Sequence, residues 1–516
     1  MPQFLKVNLK NLLSNRYYLV LLMVFLVGFF VRLYYVSPER VVFGYDQIGD
    51  LISARKIADN HDLIIKELFG SQIGINHGVL FSYFTALVYW FTAGNPLSIA
   101  YGYVFLNCLS ILTISLFCTS VFKKRLIGVI AGLLFAFSNY QILLSDWISN
   151  TSWAFVLIPV FFWGFWRYKE RNNSGLVLSS FSLGLLIQSQ MLMVYYILVV
   201  PIVFMVLKLK IPSLRTIILS GLVFFVAVST MILAEIKSGF SSLKIFGDLG
   251  SSLGESRTSM FGRVNQFLAD YIGLIQRNLN IENGVLISVI FVLVVFYGLY
   301  KTVRDNETKK ELAGLKLVLV MLIAPLLMLI IGYHKQPWTL FGMIPGVFIF
   351  CGYLISKIHA RTLLIFGFLT LFVFGFQKNL MANRLFIFQE PSSILQGQLE
   401  VLAYTYQEAG GEIFAINAVT YPLYYNTYWS YHYPWYSKKV GQTLPGWMGG
   451  DQLYPYDTLP KSNGREKIFF MIIDETRAIS SLYKNIGRKW GLSEGKLISE
   501  KLVGGFTVQK FVRYEK

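Results

Sequence analysis

The chain is poor in charge. Of its 516 residues only 14% are Asp, Glu, Lys or Arg, against 55% hydrophobic. An ordinary globular protein carries roughly 25% charge. A chain this long and this apolar, with a mean hydropathy of +0.54, cannot keep a wholly soluble surface. That excludes a cytosolic enzyme, a disordered protein and a small disulfide scaffold. Cysteine is scarce as well: Cys108, Cys118 and Cys351 all lie in apolar runs, with no disulfide framework and no zinc-ligand spacing. A glycine-rich phosphate loop, an HExxH pair and a usable Ser/His/Asp order are all missing. This argues against direct use of ATP or a nucleotide sugar on the cytoplasmic side.

What the chain has instead is long apolar runs. A window of roughly 20 apolar residues spans a bilayer. Eleven such spans are predicted: 17–36, 97–121, 126–143, 151–167, 174–190, 191–207, 216–235, 283–300, 317–332, 339–356 and 362–377. Residues 78–93 form a shorter run, read as an interfacial or re-entrant helix on the outer side.

The net charge of +18 is distributed by topology. Basic clusters precede the first span (Lys6, Lys10, Arg16) and follow the second (Lys123–Arg125), the fourth, the sixth, the eighth and the tenth. These pieces hold 19 Lys and Arg against Glu170, Asp305, Glu307 and Glu311, which accounts for +15 of the +18. The excess therefore reads as cytoplasmic loops rather than as a nucleic-acid surface. The N-terminus is expected inside and the C-terminus outside, in a plasma (inner) membrane.

Three stretches then face outward: a first outer loop at 37–96, a second at 236–282, and everything from 382 on. The fold class expected is an α-helical polytopic membrane protein with a small C-terminal α/β extracytoplasmic domain. It divides into a transmembrane domain at 1–381 and a terminal domain at 382–516. In the latter, Glu412–Asn417 and Lys467–Ile473 read as buried strands, Thr507–Tyr514 as an edge strand, and 394–408 and 476–489 as helices. The aromatic run Tyr421–Tyr436 is suited to packing or membrane contact, and also to stacking on sugar rings.

Polar groups where spans open outward are the candidates for chemistry. Asp46 and Asp50 stand four apart and share a face if that stretch is helical. They suit a general base, a proton relay or a pair of ligands to a divalent metal; the bland alternative makes Asp46 a helix N-cap after Gly44 and Asp50 a surface acid. Asp146 stands alone in the short loop after the third span. Arg32, inside the first span, either snorkels to the interface or pairs with an acid or a phosphate. His334 and Lys335 sit between the ninth and tenth spans, and Arg257 and Arg263 in the second outer loop; each cation suits an anionic headgroup. His77 begins the interfacial run, where a lone histidine is usually structural.

In order, these motifs resemble the GT-C superfamily of lipid-linked-sugar glycosyltransferases, nearest to the family 39, protein-mannosyltransferase-like group of bacterial enzymes. The resemblance covers roughly residues 17–360. It rests on Arg32, on Tyr45-Asp46-Gln47 with Asp50, and on His77-Gly78-Val79-Leu80 with Tyr83. Ser145–Asn150 with Asp146, and His334–Trp338 followed by Pro345, complete it. The first motif often reads Asp-Glu in the family and is Asp46-Gln47 here; the usual Pro is Val79.

The resemblance implies transfer of a sugar from a polyprenyl-phosphate donor to an acceptor hydroxyl of a glycan, lipid or protein at the outer face. It implies Asp46 as catalytic base, Asp146 and Asp50 in support, and Lys335 and Arg257 on the lipid phosphate. Arg32, His334 and His77 complete the donor side. It names no cofactor and leaves a divalent metal open at Asp46 and Asp50. The competing class is a carrier or flippase for a lipid-linked glycan.

Overall fold

In the computed structural model of the chain, the described residues are 16–65, 78–241, 244, 260–281, 309–331, 337–357 and 390–514. The expected spans 283–300 and 362–377 lie outside them. The chain divides into two compact units. One comprises Met1–Tyr34, Gln72–Phe81 and Tyr103–Leu385; the other comprises Tyr35–Ser71, Ser82–Gly102 and Phe386–Lys516.

The first unit is a helical bundle. Among the described residues, five helices are long and apolar enough to cross a membrane: Arg16–Tyr35, Pro96–Phe122, Leu214–Lys237, Lys309–Leu329 and Trp338–Lys357. At 1.5 Å per residue, a 20-residue helix covers about 30 Å, the hydrocarbon thickness. A sixth crossing is formed if Arg125–Ala136 and Asn139–Ser145, bent by 65° at their junction, are one span. The chain is thus an integral membrane protein. Residues 153–169, 174–189 and 191–207 are helical too, but shorter, and the last opens with a 3-10 segment at Met191–Tyr195. Helices Trp153–Lys169 and Ser174–Ser189 approach closely because both carry glycine at the contact. A Cβ on Gly164 would meet the Gly175 carbonyl oxygen at 2.5 Å.

Basic connections meet at one end of this bundle. Lys124 and Lys357 both bind Glu311, at 2.6 and 3.0 Å, while Lys123 and Lys310 share Glu170, at 3.5 and 2.7 Å. At the same end the Tyr17 hydroxyl pairs with Thr119, and the Arg125 guanidinium lies over the Tyr17 ring. The start of helix Arg16–Tyr35 is therefore beside the end of Pro96–Phe122. The helix Leu80–Thr92, at 13 residues, is shorter than a full crossing needs.

The second unit combines a five-stranded sheet with the first outer loop. The strands are β1 (Phe414–Val419), β2 (Gly446–Trp447), β3 (Ile468–Asp474), β4 (Gly495–Val503) and β5 (Phe506–Arg513), in spatial order β2-β1-β3-β5-β4. Strands β2, β1 and β3 run parallel, and β5 is antiparallel to both β3 and β4. Ala415, Phe469, Met471, Ile473 and Phe511 form a buried cluster on one face. The expected edge strand is a correction. Strand β5 lies inside the sheet, and the edge on that side is β4, whose Lys496, Glu500 and Lys501 make it read as polar loop. Charge on an edge strand keeps it from pairing with another chain.

The first outer loop is stitched to this unit through the backbone. Val42 bridges Ile394, and the Phe43 N–H donates to Ser393 O at 2.8 Å. Gln398, fully buried, donates from Nε2 to Phe43 O and Ser392 O at 2.7 and 2.9 Å, and its Oε1 pairs with His432 Nε2 at 2.7 Å. Burial pushes the His432 imidazole down to about 3 and holds it neutral. In the unfolded chain it takes a proton near 6.5. Between those values the unfolded state binds more protons, so stability falls as pH drops through that window. Gln398→Ala orphans both carbonyls and is expected to destabilise this unit by on the order of 3 kcal/mol. Near-ultraviolet circular dichroism during thermal unfolding checks it; an unchanged transition contradicts the stitching role.

Candidate functional site

The helix Tyr45–Asn60 carries the first motif. Its start explains Gln47: the Gln47 Oε1 accepts from the Gly44 N–H at 3.0 Å, satisfying a donor that has no partner within the helix. An amide does this as well as a carboxylate, so the Asp-Gln reading costs the helix nothing. Gly44 is the N-cap, and Asp46 lies inside the first turn. That corrects the alternative in which Asp46 caps. Asp46 and Asp50 share the helix with opposite surroundings: Asp46 is exposed and Asp50 is buried, at 9% exposure. Loss of hydration pushes the Asp46 carboxyl above its ordinary 3.8, although it lies at a helix N-terminus, which favours the anion. Its open side to solvent limits that rise.

An aromatic cluster adjoins Asp46. The Tyr45 ring stacks on Tyr456, with centroids 6.3 Å apart and planes at 29°, and Tyr425 packs on Tyr456 at 5.7 Å. Further along the helix Lys56 lies under the Tyr454 ring, and burial pushes its ammonium down to about 8. The aromatic run splits by role. Tyr428, Trp429, Tyr431 and Tyr433, on the helix Thr427–Val440, are core; Tyr421, Tyr424 and Tyr425, before it, are exposed. Nothing in the sequence marks Tyr45 and Tyr456, 411 residues apart, as neighbours.

Asp146 and Arg32 belong to the other unit. The expected span 126–143 is broken after Ala136, and Asp146 caps the far end of its second piece, Asn139–Ser145. Breaking a helix in an apolar setting exposes carbonyls and N–H groups that must find partners. Arg32 supplies them. Its Nη1 donates to Ala136 O at 2.8 Å and to Gly28 O at 3.0 Å, its Nη2 to Phe135 O at 3.1 Å, and its Nε to Asn107 Oδ1 at 3.0 Å. Asn280 completes the seal, donating to Phe137 O at 3.0 Å and accepting from the Asn139 N–H at 2.8 Å. Arg32 is 0% exposed and its partners are carbonyl and amide oxygens, which corrects the snorkelling reading and the pairing with an acid. Two of its partners, Phe135 O and Ala136 O, are backbone carbonyls at a helix C-terminus, where a cation is favoured.

Burial pushes the Asp146 carboxyl up to about 7, with its own backbone N–H opposing the shift. His77, Arg257, His334 and Lys335 lie outside the described residues. Among the described residues, no three His, Cys, Asp or Glu side chains gather to hold a metal. Asp46 and Asp50 would supply two ligands.

A multi-helix membrane bundle, a helix-borne acid in the loop after the first span and a small terminal sheet make up the fold. Two solved structures resemble it over nearly their whole length. ArnT from Cupriavidus metallidurans in the apo state matches with a TM-score of 0.60 at 10% identity, covering 95% of this chain and 97% of that one. The same protein bound to undecaprenyl phosphate matches at 0.59 and 11% identity, over 96% and 98%. The oligosaccharyltransferase of Archaeoglobus fulgidus in the apo form gives 0.43 at 15% identity, over 67% of this chain and 51% of that one. No family profile and no curated protein matches the chain.

Proposed function

We propose that the protein transfers a sugar from a polyprenyl-phosphate donor to an acceptor hydroxyl at the outer face of the membrane, with inversion, using Asp46 as general base. The observation that carries this reading is the near full-length likeness to ArnT, a protein crystallised with undecaprenyl phosphate. The presence of an exposed acid with a raised carboxyl pKa in the first outer loop supports it.

The chemistry needs one base. The acceptor oxygen forms a bond to the anomeric carbon as the bond from that carbon to the phosphate oxygen breaks. The electron pair leaves with the phosphate, and the acceptor proton passes to the Asp46 carboxylate. Because the phosphate is a stable anion, no acid need protonate it. Attack opposite the leaving group inverts the anomeric centre. Basic residues, with Lys335 and Arg257 as candidates, would offset the charge that builds on the phosphate. This reading puts the N-terminus in the cytoplasm and the terminal domain outside a bacterial inner membrane. The test is turnover of a panel of polyprenyl-phosphate sugars by the purified chain in nanodiscs. If folded protein neither binds nor consumes any of them, the reading is wrong.

Asp146 adds a pH signature. Near pH 7 it changes from a proton donor to an acceptor only. If it orients the acceptor, kcat/KM carries an inflection near 7 that Asp146→Asn removes, while the lower limb from Asp46 remains. A profile identical in wild type and Asp146→Asn contradicts that role. Stability follows the same group with opposite sign to His432. Between about 3.8 and 7 the folded state holds the extra proton, so ionising Asp146 lowers stability as pH rises.

A further inference from the structure

The tyrosines beside Asp46 have no part in the chemistry above, yet they are placed for recognition. Tyr425 is 40% exposed, Tyr424 81% and Tyr454 57%, a large aromatic area to leave in water. They are not loose. Gln452 ties their two loops together: its Oε1 accepts from the Asn426 N–H at 2.6 Å, and its Nε2 donates to Tyr424 O and Gly450 O at 3.1 and 3.0 Å. Beneath Tyr425, the Tyr456 ring is 3% exposed and stacks on Tyr45, the neighbour of Asp46. Tyr454 continues the aromatic surface to Lys56. On the helix, Asp46 and Lys56 are ten residues apart, about 15 Å. The surface is therefore longer than one sugar ring.

We propose that Tyr425 and Tyr454, held by Gln452, Tyr456 and Tyr45, form a stacking platform for a neutral acceptor oligosaccharide whose terminal hydroxyl reaches Asp46. This rests on the transferase reading and narrows its acceptor from glycan, lipid or protein to glycan. Tyrosine suits such a platform because its ring face packs on the apolar face of a sugar while its hydroxyl bonds to the sugar's edge. The charges around it select a neutral ligand. Asp46 and Asp457 are exposed carboxylates that repel an anionic one.

The rival occupant is the bilayer surface, and the charge disfavours it. Membrane interfaces take both Trp and Tyr, but their anionic headgroups attract Lys and Arg and repel carboxylates. This unit has such a place elsewhere, in a cavity of about 480 Å³ lined by Trp90, Trp435, Lys438 and Lys439. The exposed charges beside the platform are the carboxylates of Asp46 and Asp457, while Lys56 beneath Tyr454 is buried.

The experiment is saturation-transfer NMR on the full chain in nanodiscs, with cellotriose, maltotriose and chitotriose as probes and glucose for comparison. Wild type is expected to pass magnetisation from its aromatic protons to at least one trisaccharide, more strongly than to glucose. Tyr425→Ala/Tyr454→Ala should weaken that binding about tenfold. Both side chains are exposed, so the variant is expected to fold. Asp46→Asn should keep the binding. No transfer to any trisaccharide, or equal transfer in the double variant, overturns the proposal. So does quenching of the two tyrosines by headgroup spin-labelled lipid, which would give the surface to the bilayer. The two readings fail separately. Turnover that survives the double variant leaves the transferase and removes the platform. Glycan binding with no turnover of any lipid-linked sugar removes the transferase, and with it the acceptor role.

Discussion

Asp46→Asn is expected to lower sugar transfer by about 10²–10⁴-fold, the usual contribution of a positioned general base. The substitution keeps the shape of the side chain and its place in the first turn, since Gly44 and Gln47 make the cap without it. The loss should fall on kcat, with donor affinity little changed, because the proton moves only in the transition state. Raising the pH should not rescue the amide. In wild type, the acid limb of the rate profile should lie above the ordinary 3.8, the direction in which lost hydration moves the Asp46 carboxyl. Asp50→Asn is the control. Asp50 is buried a turn further on, so its loss should appear in thermal stability at least as much as in rate. Initial rates for both variants, with melting temperatures alongside, separate the two acids. Equal rate losses with equal destabilisation would contradict the division of roles.

Arg32→Leu is the second large effect. The leucine fits the span by hydropathy, and an inventory of transmembrane charge would call the change an improvement. The structure indicates the reverse. Phe135 O, Ala136 O and Asn107 Oδ1 would lose their donor in a setting that offers no water. At roughly 1–3 kcal/mol for each buried group left unpaired, the cost is about 4 kcal/mol. Arg32→Lys should recover only part of it, since an ammonium lacks the planar fork that reaches a side chain and two carbonyls at once. Asp146, nine residues beyond Phe137, should lose its fixed position as the broken helix loosens. The check is the melting temperature in nanodiscs for both variants. A Leu variant as stable as wild type would mean that the junction is not sealed by Arg32.

How legible these features were follows from their range. Helices Arg16–Tyr35 and Pro96–Phe122 were readable because a continuous apolar run needs no partner to declare itself. The 65° bend in the third run was not, because a hydropathy window averages over Ser138-Asn139. Arg32 was visible as an anomaly, yet its partners are carbonyls, which every residue has. The parallel strands β1 and β3 stood out as short, fully apolar runs. Strand β4 did not, because an edge strand survives on backbone pairing and carries charge. Asp46 stands out as a candidate through local spacing and through resemblance. Tyr456 was not found, since its relation to Asp46 exists only once residues 45, 425 and 456 are brought together.

The central claim is a single inverting displacement driven by Asp46. The most direct measurement is the anomeric configuration of the transfer product by NMR, from a polyprenyl-phosphate sugar of known configuration, with wild type and Asp46→Asn in parallel. The account predicts inverted product from wild type and almost none from the variant. Retained configuration, or full product from Asp46→Asn, would contradict it.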